Sequence, residues 1–568
     1  MTDSNEEMND TATATRPTSA AQEWDREVDL LVAGTGAAGL SAAITAADAG
    51  LDVLVVESTE RWGGTTMLSG GGLWMPANPL MKRHRILDSR AEALEYMQEA
   101  IGDAGPASST ARREAFVDAV TEVYGLLERW GVRWSIAKYY PDYYPDRPGG
   151  KVGRSIEPQP FDAKKLGDWV AQSRFAEGLP VPLRNDDVWL LSRAWSSSSG
   201  FLRGAQFAFR TLGGLVSGKR LFGMGTSLAM NLMAIVRRQG TEVLLSSPVT
   251  SVVQENGAVV GAVVTVAGRP TRIRARRGVV LAAGGFAQNR EWRERYHGLP
   301  GYSSAAAGDQ GSGIEVGRAA GGALAMMDDA WWGSAVPMPD GSNQFMLQER
   351  SMPFGIVVDQ SGSRYLDESE SYIDFGHEMI ERNKTVPAIH SWLVLDHRHR
   401  QRYLFASLLI GGKRMRAAGT VVTAATLDEL ARAIAIEPAA LRATVNRFNG
   451  FALKGVDEDF GRGRTVYDNY YGDPAVKPNP NLGTIEKGPF TAVKIVPGDL
   501  GTKGGLLTDE HARVLDETGA VIPGLYAAGN TTASVMGHTY PGPGSTIAPA
   551  VIFGHLAARH AASPAPTS

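Results

Sequence analysis

The chain has 568 residues, which is too long for one hydrophobic core, so more than one domain is expected. Its hydrophobic content of 43%, charged content of 21% and net charge of −4 are those of a soluble globular protein and give no electrostatic basis for binding nucleic acid. The sequence has no cysteine, which excludes disulfides, thiolate zinc sites and cysteine-ligated iron–sulfur clusters, so any redox chemistry needs an organic cofactor.

Residues 1–26 are expected to form a disordered tail, because small polar and acidic residues make up most of this segment. A secretory signal is not expected, since acids stand where such a signal needs lysines and no apolar core follows. No stretch reaches the uninterrupted apolar length of a membrane span. The sequence therefore predicts a cytoplasmic protein with no integral membrane segment, and it leaves peripheral contact with a membrane open.

A glycine-rich turn separates an apolar strand at residues 28–33 from an apolar helix that continues from Leu40. Gly34 would make the turn, Gly36 would let the backbone approach a pyrophosphate, and Gly39 would let the helix pack on the strand. A phosphate would rest on the helix N-terminus, where free N–H groups favour an anion. The candidate contacts of this dinucleotide-binding turn are Gly34, Gly36, Ala37, Ala38 and Gly39.

A second apolar strand, residues 53–56, ends in Glu57. This acid follows the glycine turn at about twenty residues, the offset of the carboxylate that binds the ribose in dinucleotide folds. The complete strand–turn–helix–strand unit favours a ribose-binding role for Glu57. The alternative is a parallel unit of the same kind in which the glutamate is only solvated.

Residues 61–72 form a second glycine-rich segment, and the apolar residues 73–76 anchor its end. With so few side chains, the backbone can approach a flat or crowded partner closely. A flexible loop is the alternative, but the adjoining apolar bulk favours a loop that wraps a cofactor. The candidate contacts are Gly64, Thr65, Ser69, Gly70, Gly71 and Gly72.

The middle of the chain combines helices with a β-meander. Residues 91–130 have helical spacing, residues 150–200 are expected to be irregular, and a helix begins near Thr226. Three alternating strands then lead into a buried strand that ends in glycines. An antiparallel meander inserted in a parallel sheet resembles flavoproteins of the glutathione-reductase type, which implies FAD, with Val249, Ala283 and Gly284 as candidate contacts.

The character of the sequence changes near Trp331 and Trp332. Residues 333–492 mix strands, helices and aromatic loops, and we expect a catalytic, substrate-binding α+β cap domain there. Residues 27–332 and 493–568 are expected to form the FAD-binding domain. The predicted fold class is α/β, a Rossmann-like FAD-binding domain of glutathione-reductase type with the cap inserted.

The last segment places a short buried strand before a turn and then a helix. Pro549 is tolerated only in the first turn of a helix, which predicts a helix start near Ser545. A helix N-terminus beside a flavin would stabilise negative charge on the reduced ring. The candidate contacts are Gly529, Asn530, Ser545, Thr546 and Ile547.

Six motifs and a tyrosine cluster at residues 139–145 carry a family resemblance. The motifs are GTGAAG, GGTTMLSGGGLWMP, YDNYYGDP, GDLGTKGGL, GLYAAGN and MGHTYPGPGSTIAPA. Together they resemble bacterial 3-ketosteroid Δ1-dehydrogenases, which belong to the superfamily of fumarate-reductase-like flavoproteins. The resemblance implies an enzyme of steroid degradation with non-covalent FAD. Such an enzyme takes a C2 proton and a C1 hydride from the A ring of a 3-ketosteroid, passes the hydride to flavin N5 and needs an electron acceptor.

The resemblance also implies four active-site residues. The catalytic base corresponds to Tyr372, and a helper tyrosine before a proline corresponds to Tyr144. Tyr540 and the backbone N–H of Gly544 would hold the 3-keto oxygen. The tyrosine cluster has one residue more than the family pattern, so Tyr143 is an alternative to Tyr144.

These residue types suit the implied reaction. Loss of the C2 proton builds negative charge on the ketone oxygen, so hydrogen-bond donors must already be aimed at it. A tyrosine is a weak base, since its ordinary pKa is about 10. It therefore needs a neighbour that stabilises the phenolate by hydrogen bonding, and Tyr144 would supply that bond.

Three alternatives remain from the sequence. A 3-ketosteroid Δ4-(5α)-dehydrogenase would use related substrates with a different placing of base and carbonyl clamp. A fumarate reductase-like enzyme would clamp carboxylates with arginine and histidine, but residues 540–543 contain no arginine. The third alternative is a flavin- or steroid-binding protein without catalysis.

Overall fold

The computed structural model describes residues 23–175, 177–194 and 196–563. Most of the expected disordered tail, residues 1–22, lies outside the described residues. Trp24 is described, and the guanidinium of Arg272 lies 5.0 Å from the centre of its ring. Arg26 already belongs to the first strand.

Strands of two to thirteen residues make up the sheets of the molecule. The strands are β1 (Arg26–Ala33), β2 (Val53–Val56), β3 (Leu73–Trp74), β4 (Trp134–Ile136), β5 (Ser155–Pro158), β6 (Phe161–Asp162), β7 (Leu221–Phe222), β8 (Glu242–Leu244), β9 (Val249–Glu255), β10 (Ala258–Val266), β11 (Arg269–Leu281), β12 (Leu324–Ala325), β13 (Ala330–Pro337), β14 (Asn343–Met346), β15 (Gly355–Val358), β16 (Ser391–Leu395), β17 (Val421–Ala424), β18 (Phe490–Thr502), β19 (Gly505–Leu506), β20 (Arg513–Leu515) and β21 (Val521–Ala527).

Helices of five to twenty residues surround these sheets. They are α1 (Ala37–Asp48), α2 (Pro79–Arg83), α3 (Arg90–Ile101), α4 (Thr110–Arg129), α5 (Asn185–Leu191), α6 (Ser198–Val216), α7 (Met224–Arg238), α8 (Arg290–His297), α9 (Ser312–Ala319), α10 (Tyr372–Asn383), α11 (His397–Arg402), α12 (Ala406–Ala417), α13 (Leu427–Ala433), α14 (Pro438–Lys454), α15 (Val466–Tyr470) and α16 (Ile547–Ala562).

The larger sheet has the strand order β20-β21-β11-β1-β2-β8, and the meander strands β10 and β9 extend it from β11. β1 pairs in parallel with β2 and β11, so Val32 lies between Val55 and Val280. All three valines are buried, as expected for a parallel sheet covered on both faces. The predicted Rossmann-like sheet with an antiparallel meander is therefore present.

Small residues let α1 lie close to both the sheet and α16. Gly34 has a φ of +116°, and a Cβ there would stand 2.2 Å from the carbonyl oxygen of Ala282. A Cβ on Gly39 would stand 2.0 Å from the carbonyl oxygen of Gly34. On α16, a Cβ on Gly554 would stand 2.2 Å from the carbonyl oxygen of Ala38. Any side chain at these positions would push the helices apart, because these distances are far below contact.

The second sheet has the order β14-β13-β18-β16-β15, with β17 also paired to β18. β18 is thirteen residues long and pairs antiparallel with β13, β16 and β17. Its last residue, Thr502, accepts a hydrogen bond on Oγ1 from the N–H of Phe286 at 3.1 Å, on the loop that follows β11 of the larger sheet. β18 thus connects the two sheets, and it begins three residues before the expected return at residue 493.

Helix α10 packs directly on β13. A Cβ on Gly376 would stand 2.4 Å from Cβ of Trp332, so the helix can lie flat on the strand only with glycine there. Tyr372 is the first residue of α10, and its side chain is buried. The cap sheet therefore fixes where the candidate base lies.

Residues 150–200 differ from the expectation of irregular structure. They contain β5, β6, α5 and a 3-10 helix at Ala163–Val170, and α6 begins at Ser198. The strands have only four and two residues, too few to produce a readable periodicity. Within the described ranges, no helix is long and apolar enough to span a lipid bilayer.

Candidate active site

A single elongated cavity extends from the glycine turn before α1 to a group of tyrosines under the second sheet. Its enclosed volume is about 310 Å³. Its lining joins the glycine-rich turns of the first sheet to tyrosines from the cap and from the last segment, so one cavity connects the predicted cofactor contacts with the predicted substrate contacts.

Two helix N-termini without side-chain caps meet the cavity wall. α1 begins after Gly36 and α16 begins after Thr546, and neither N-cap residue accepts a capping hydrogen bond on its side chain. Uncapped N-termini offer backbone N–H groups and a positive dipole end to an anion. Arg174 is the one lysine or arginine among the described lining residues, so it adds a full positive charge.

Glu57 lies at the end of β2 and forms part of the same wall. Its Oε2 accepts hydrogen bonds from the N–H and the hydroxyl of Thr35, at 3.1 and 2.6 Å. Its Oε1 accepts from the N–H and the hydroxyl of Thr59, at 3.1 and 3.0 Å. These bonds orient the carboxylate at the position predicted for a ribose contact, and that contact stays a prediction.

Most residues predicted from the sequence to contact the cofactor line this cavity. They are Gly34, Gly36, Ala37, Ala38, Glu57, Gly64, Thr65, Ser69, Gly70, Gly71, Gly72, Val249, Ala283, Gly284, Gly529, Asn530, Thr546 and Ile547.

Two predicted cofactor contacts lie outside the lining. Gly39 packs against the backbone of Gly34, which is the helix-packing role that the glycine pattern gives it. Ser545 is fully buried and bonds within its own turn, where its hydroxyl donates to the carbonyl oxygen of Gly542 at 2.7 Å. Both residues shape the wall from behind and do not form its surface.

The sequence analysis missed a third glycine-rich turn, residues 306–313, which leads into α9. Gly308, Asp309 and Ser312 from this turn line the cavity. No side chain in the described part of the chain donates a hydrogen bond to the carboxyl of Asp309. Burial raises the pKa of this carboxyl to about 7, and the backbone N–H of Gly285 acts against the rise. Glycines spaced before a helix were the available signal. A buried carboxyl with acceptor capacity to spare is a feature that a bound ligand would satisfy, so this wall fits a polar cofactor such as FAD.

Three tyrosines from distant segments meet at the other end of the cavity. The rings of Tyr372 and Tyr540 have centres 4.9 Å apart at an angle of 66°. Tyr143 lies against both, 5.3 Å from Tyr372 edge-on and 5.2 Å from Tyr540 in a stacked arrangement. All three line the cavity together with Phe345 and Leu347 of the cap. The result is an apolar chamber with phenol hydroxyls at one end.

The hydroxyl of Tyr540 accepts a hydrogen bond, which leaves its own proton available for a ligand. Its oxygen accepts a hydrogen bond from Oγ1 of Thr546 at 3.1 Å. Burial raises its pKa, while the hydroxyl of Thr546 and the backbone N–H of Gly544 act against this rise. Gly544 needs its glycine, because φ is +100° and a Cβ would stand 2.4 Å from the carbonyl oxygen of Gly72. The backbone N–H of Gly544 thus lies at the hydroxyl of Tyr540, and the role of the two groups as a carbonyl clamp stays a prediction.

The structure places Tyr144 away from this chamber. Its hydroxyl donates to Oδ1 of Asp374 at 3.2 Å, and Tyr144 is not among the lining residues. The ring of Tyr143, by contrast, lies against Tyr372 and lines the cavity. The geometry therefore favours Tyr143, the alternative from the sequence, over Tyr144, and the helper role stays a prediction.

The local environment opposes ionisation of Tyr372. Burial raises the pKa of Tyr372 well above its ordinary value, Tyr540 raises it further by its charge and by a hydrogen bond, and a hydrogen bond with Tyr143 acts against the rise. Burial also raises the pKa of Tyr143, so this residue stays a phenol and can donate. The Tyr143 hydroxyl lies 3.3 Å from the hydroxyl of Tyr140, which is hydrogen-bonded in turn to Tyr471.

Comparisons with known proteins identify the family of the chain. A family model described as FAD binding domain matches residues 29–547. The chain is 43% identical over 572 residues to a 3-oxosteroid 1-dehydrogenase of Mycolicibacterium smegmatis, covering 96% of this chain and 98% of that protein. It is 42% identical over 569 residues to a 3-oxosteroid 1-dehydrogenase of Mycobacterium tuberculosis, covering 95% and 99%.

A solved structure is similar over nearly the same extent. It is the crystal structure of 3-ketosteroid Δ1-dehydrogenase from Sterolibacterium denitrificans in complex with 1,4-androstadiene-3,17-dione. The TM-score is 0.88 at 34% identity, and the match covers 94% of this chain and 99% of that chain. The chain therefore belongs to the FAD-binding-domain family of flavoproteins and, within it, to the 3-oxosteroid 1-dehydrogenases.

Proposed function

We propose that this protein is an FAD-dependent 3-ketosteroid Δ1-dehydrogenase, which forms a double bond between C1 and C2 of the A ring. The observation that carries the proposal is the meeting of Tyr372, Tyr540 and the amide of Gly544 at one end of an apolar chamber. A base and two hydrogen-bond donors around one point suit a ketone that loses an α-proton.

Tyr372 acts as the base in this proposal. Its phenolate oxygen takes the C2 proton, while the hydroxyl of Tyr143 donates to that oxygen and stabilises the charge before the transfer. The hydrogen bond between these two residues lowers the pKa of Tyr372 against the effect of burial, which supports this division of roles.

Tyr540 and Gly544 hold the 3-keto oxygen. Because Thr546 donates to the Tyr540 oxygen, the Tyr540 proton is available for the ketone. The two donors face the oxygen on which negative charge develops as C2 loses its proton, so they stabilise the transition state more than the ground state.

The long arm of the cavity would hold FAD non-covalently: the N–H groups at the N-terminus of α1 would bind its phosphates, and Arg174 would add a positive charge to this arm. When bound, FAD accepts the hydride from C1. No cysteine is present in the sequence, and no histidine is among the described lining residues, so the usual side chains for a covalent flavin bond are missing from this wall. A separate acceptor in the cytoplasm then takes the two electrons.

The side chains that line the cavity favour this proposal over a dicarboxylate reductase. Carboxylate substrates need cationic clamps, and Arg174, the one lysine or arginine of the described lining, lies with Glu57 and Thr59 at the dinucleotide arm. The chamber around Tyr372 is aromatic and aliphatic, which suits a neutral ring system.

Anaerobic mixing of the purified holoenzyme with a 4-ene-3-ketosteroid and with its 5α-reduced counterpart tests the proposal. We expect loss of oxidised flavin absorbance with both, and products with a new 1-ene by mass and ultraviolet absorbance. A 4-ene formed from the 5α-steroid, with no reaction of the 4-ene substrate, would assign Δ4-(5α) chemistry instead. Steroid binding without flavin reduction would mean a non-catalytic protein.

A further inference from the structure

We propose that Asp329 is a positioning residue, which fixes the candidate base Tyr372 relative to the carbonyl clamp through two histidines. The inference rests on the proposed function, because it concerns the relative placement of residues that act on the ketone. It assigns a role to a polar cluster outside the cavity wall, at the junction of the two sheets.

Asp329 lies directly before β13, and 4% of its side chain is exposed. Its Oδ1 accepts a hydrogen bond from Nε2 of His377 at 2.9 Å, and its Oδ2 accepts from Nδ1 of His538 at 2.9 Å. Burial alone would raise the pKa of this carboxyl, but the two histidine bonds outweigh burial and hold it well below its ordinary value. Asp329 therefore stays ionised and acts only as an acceptor, so both histidines donate.

The two histidines belong to the segments that carry the candidate catalytic groups. His377 lies on α10, five residues after Tyr372, while His538 comes two residues before Tyr540. One carboxylate thus bridges the helix of the base and the loop of the clamp. A change of about 1 Å in such a placement can cost about a hundredfold in rate.

A buried lysine holds the same loop from behind. Nζ of Lys503 donates to the carbonyl oxygens of Gly537 and Thr539, at 2.6 and 2.7 Å, on either side of His538. It also lies 4.0 Å from Oδ2 of Asp329. Burial lowers the pKa of Lys503 to about 8, and the attraction of Asp329 opposes this fall.

The same lysine connects to the clamp through an aromatic contact. Nζ of Lys503 stands 4.3 Å from the ring centre of Trp331, and that ring meets Tyr540 edge-on at 5.2 Å. Asp329, Lys503 and Trp331 therefore surround the clamp loop on the side away from the cavity. Loosening of this cluster would displace Tyr540 and leave the dinucleotide arm of the cavity in place.

The charges around His538 determine how the cluster responds to pH. Asp329, Lys503 and the exposed Asp328 face His538, while Asp374 lies near His377. The hydrogen bond to Asp329 raises the pKa of His538 above 6.5. Its charge-assisted contribution is therefore complete below pH 6.5 and is lost as pH rises through the folded pKa, whereas the neutral bond remains.

Kinetics of the holoenzyme on a 3-ketosteroid test the proposal. We expect Asp329→Asn to lower kcat about tenfold or more, with KM within about threefold and unchanged FAD content, since the dinucleotide arm and the other residues around the chamber stay in place. The double variant His377→Gln/His538→Gln keeps neutral amide donors and should lose about threefold. The double variant His377→Leu/His538→Leu should match Asp329→Asn. Exposed His84→Gln is the matched control.

Thermal unfolding gives a second readout. The stabilisation of wild type relative to His538→Gln should be larger at pH 6 than at pH 8.5, because only the imidazolium adds charge.

A kcat of Asp329→Asn within about twofold of wild type overturns the inference while leaving the proposed function standing. No steroid turnover by wild type overturns both. If Asp329→Asn does not retain FAD, equal kcat values for the two histidine double variants overturn the inference.

Discussion

Burial is the main effect that opposes the action of Tyr372 as a base. A phenolate in this chamber loses its hydration, and the pKa of Tyr372 is raised well above its ordinary value. Tyr143 offsets part of this effect by a hydrogen bond and stays protonated itself. We therefore treat the two residues as one functional pair, in which neither is effective alone.

Removal of the Tyr372 hydroxyl isolates the base. Tyr372→Phe keeps the ring contacts with Phe345 and Tyr540, so FAD content and steroid affinity should stay nearly intact. We expect the rate of anaerobic flavin reduction to fall by about 10²–10⁴-fold, the size of a general-base contribution. Stopped-flow absorbance measures this rate. Activity within a few-fold of wild type would exclude the role.

Phenylalanine variants of the two neighbouring tyrosines, Tyr143 and Tyr144, distinguish which of them is the helper. Tyr143→Phe removes the donor to Tyr372, so the pKa of the base should rise and the pH at which kcat increases should move upward. We expect a loss of about tenfold or more near neutral pH. Tyr144→Phe removes the bond to Asp374 and the acceptor for the backbone N–H of Tyr540, but no contact with Tyr372, so it should stay within a few-fold in a pH–rate profile. The reverse pattern would return the role to Tyr144.

Among the elements, those defined by local glycine chemistry could be predicted from the sequence. Only glycine fits at positions 34 and 39, because backbone atoms approach within 2.2 Å of where a Cβ would stand. Pro549 predicted a helix start near Ser545, and α16 begins at Ile547 with Pro549 in its first turn.

Elements that depend on distant contacts could not be predicted. The choice between Tyr143 and Tyr144 depends on which of the two side chains the loop turns towards α10, and no local pattern decides it. Asp329 meets His538 across more than two hundred positions of the chain. The turn before α9 shows only glycine spacing, and its role follows from the cavity that other segments enclose.

The stability of the whole molecule should reflect the buried carboxyl of Asp309. Its pKa is raised from 3.8 to about 7 by burial, so the folded protein binds the proton more tightly than the unfolded chain. Stability therefore falls as pH rises through the window between these values. Asp309→Asn removes this dependence, because the amide has no charge to bury.

Calorimetry of the protein stripped of FAD measures this effect. The difference in Tm between Asp309→Asn and wild type should increase from pH 5 to pH 8 by about 1–3 °C in favour of the variant. The exposed Asp168→Asn serves as the control and should show no such trend. A constant difference across this range would mean that Asp309 does not titrate in the folded state.

The contacts of strand β18 restrict how a ligand can enter the cavity. Beyond its pairing with three cap strands, it carries Asp499, whose Oδ2 forms a buried ion pair with Arg293 at 2.8 Å, and Asp499 bridges to Ser303. If the cap moved as a rigid body, both this ion pair and the hydrogen bond between Thr502 and Phe286 would break. The gate for a bulky ring system is thus to be sought in loops at the cavity mouth, where movement leaves both sheets joined.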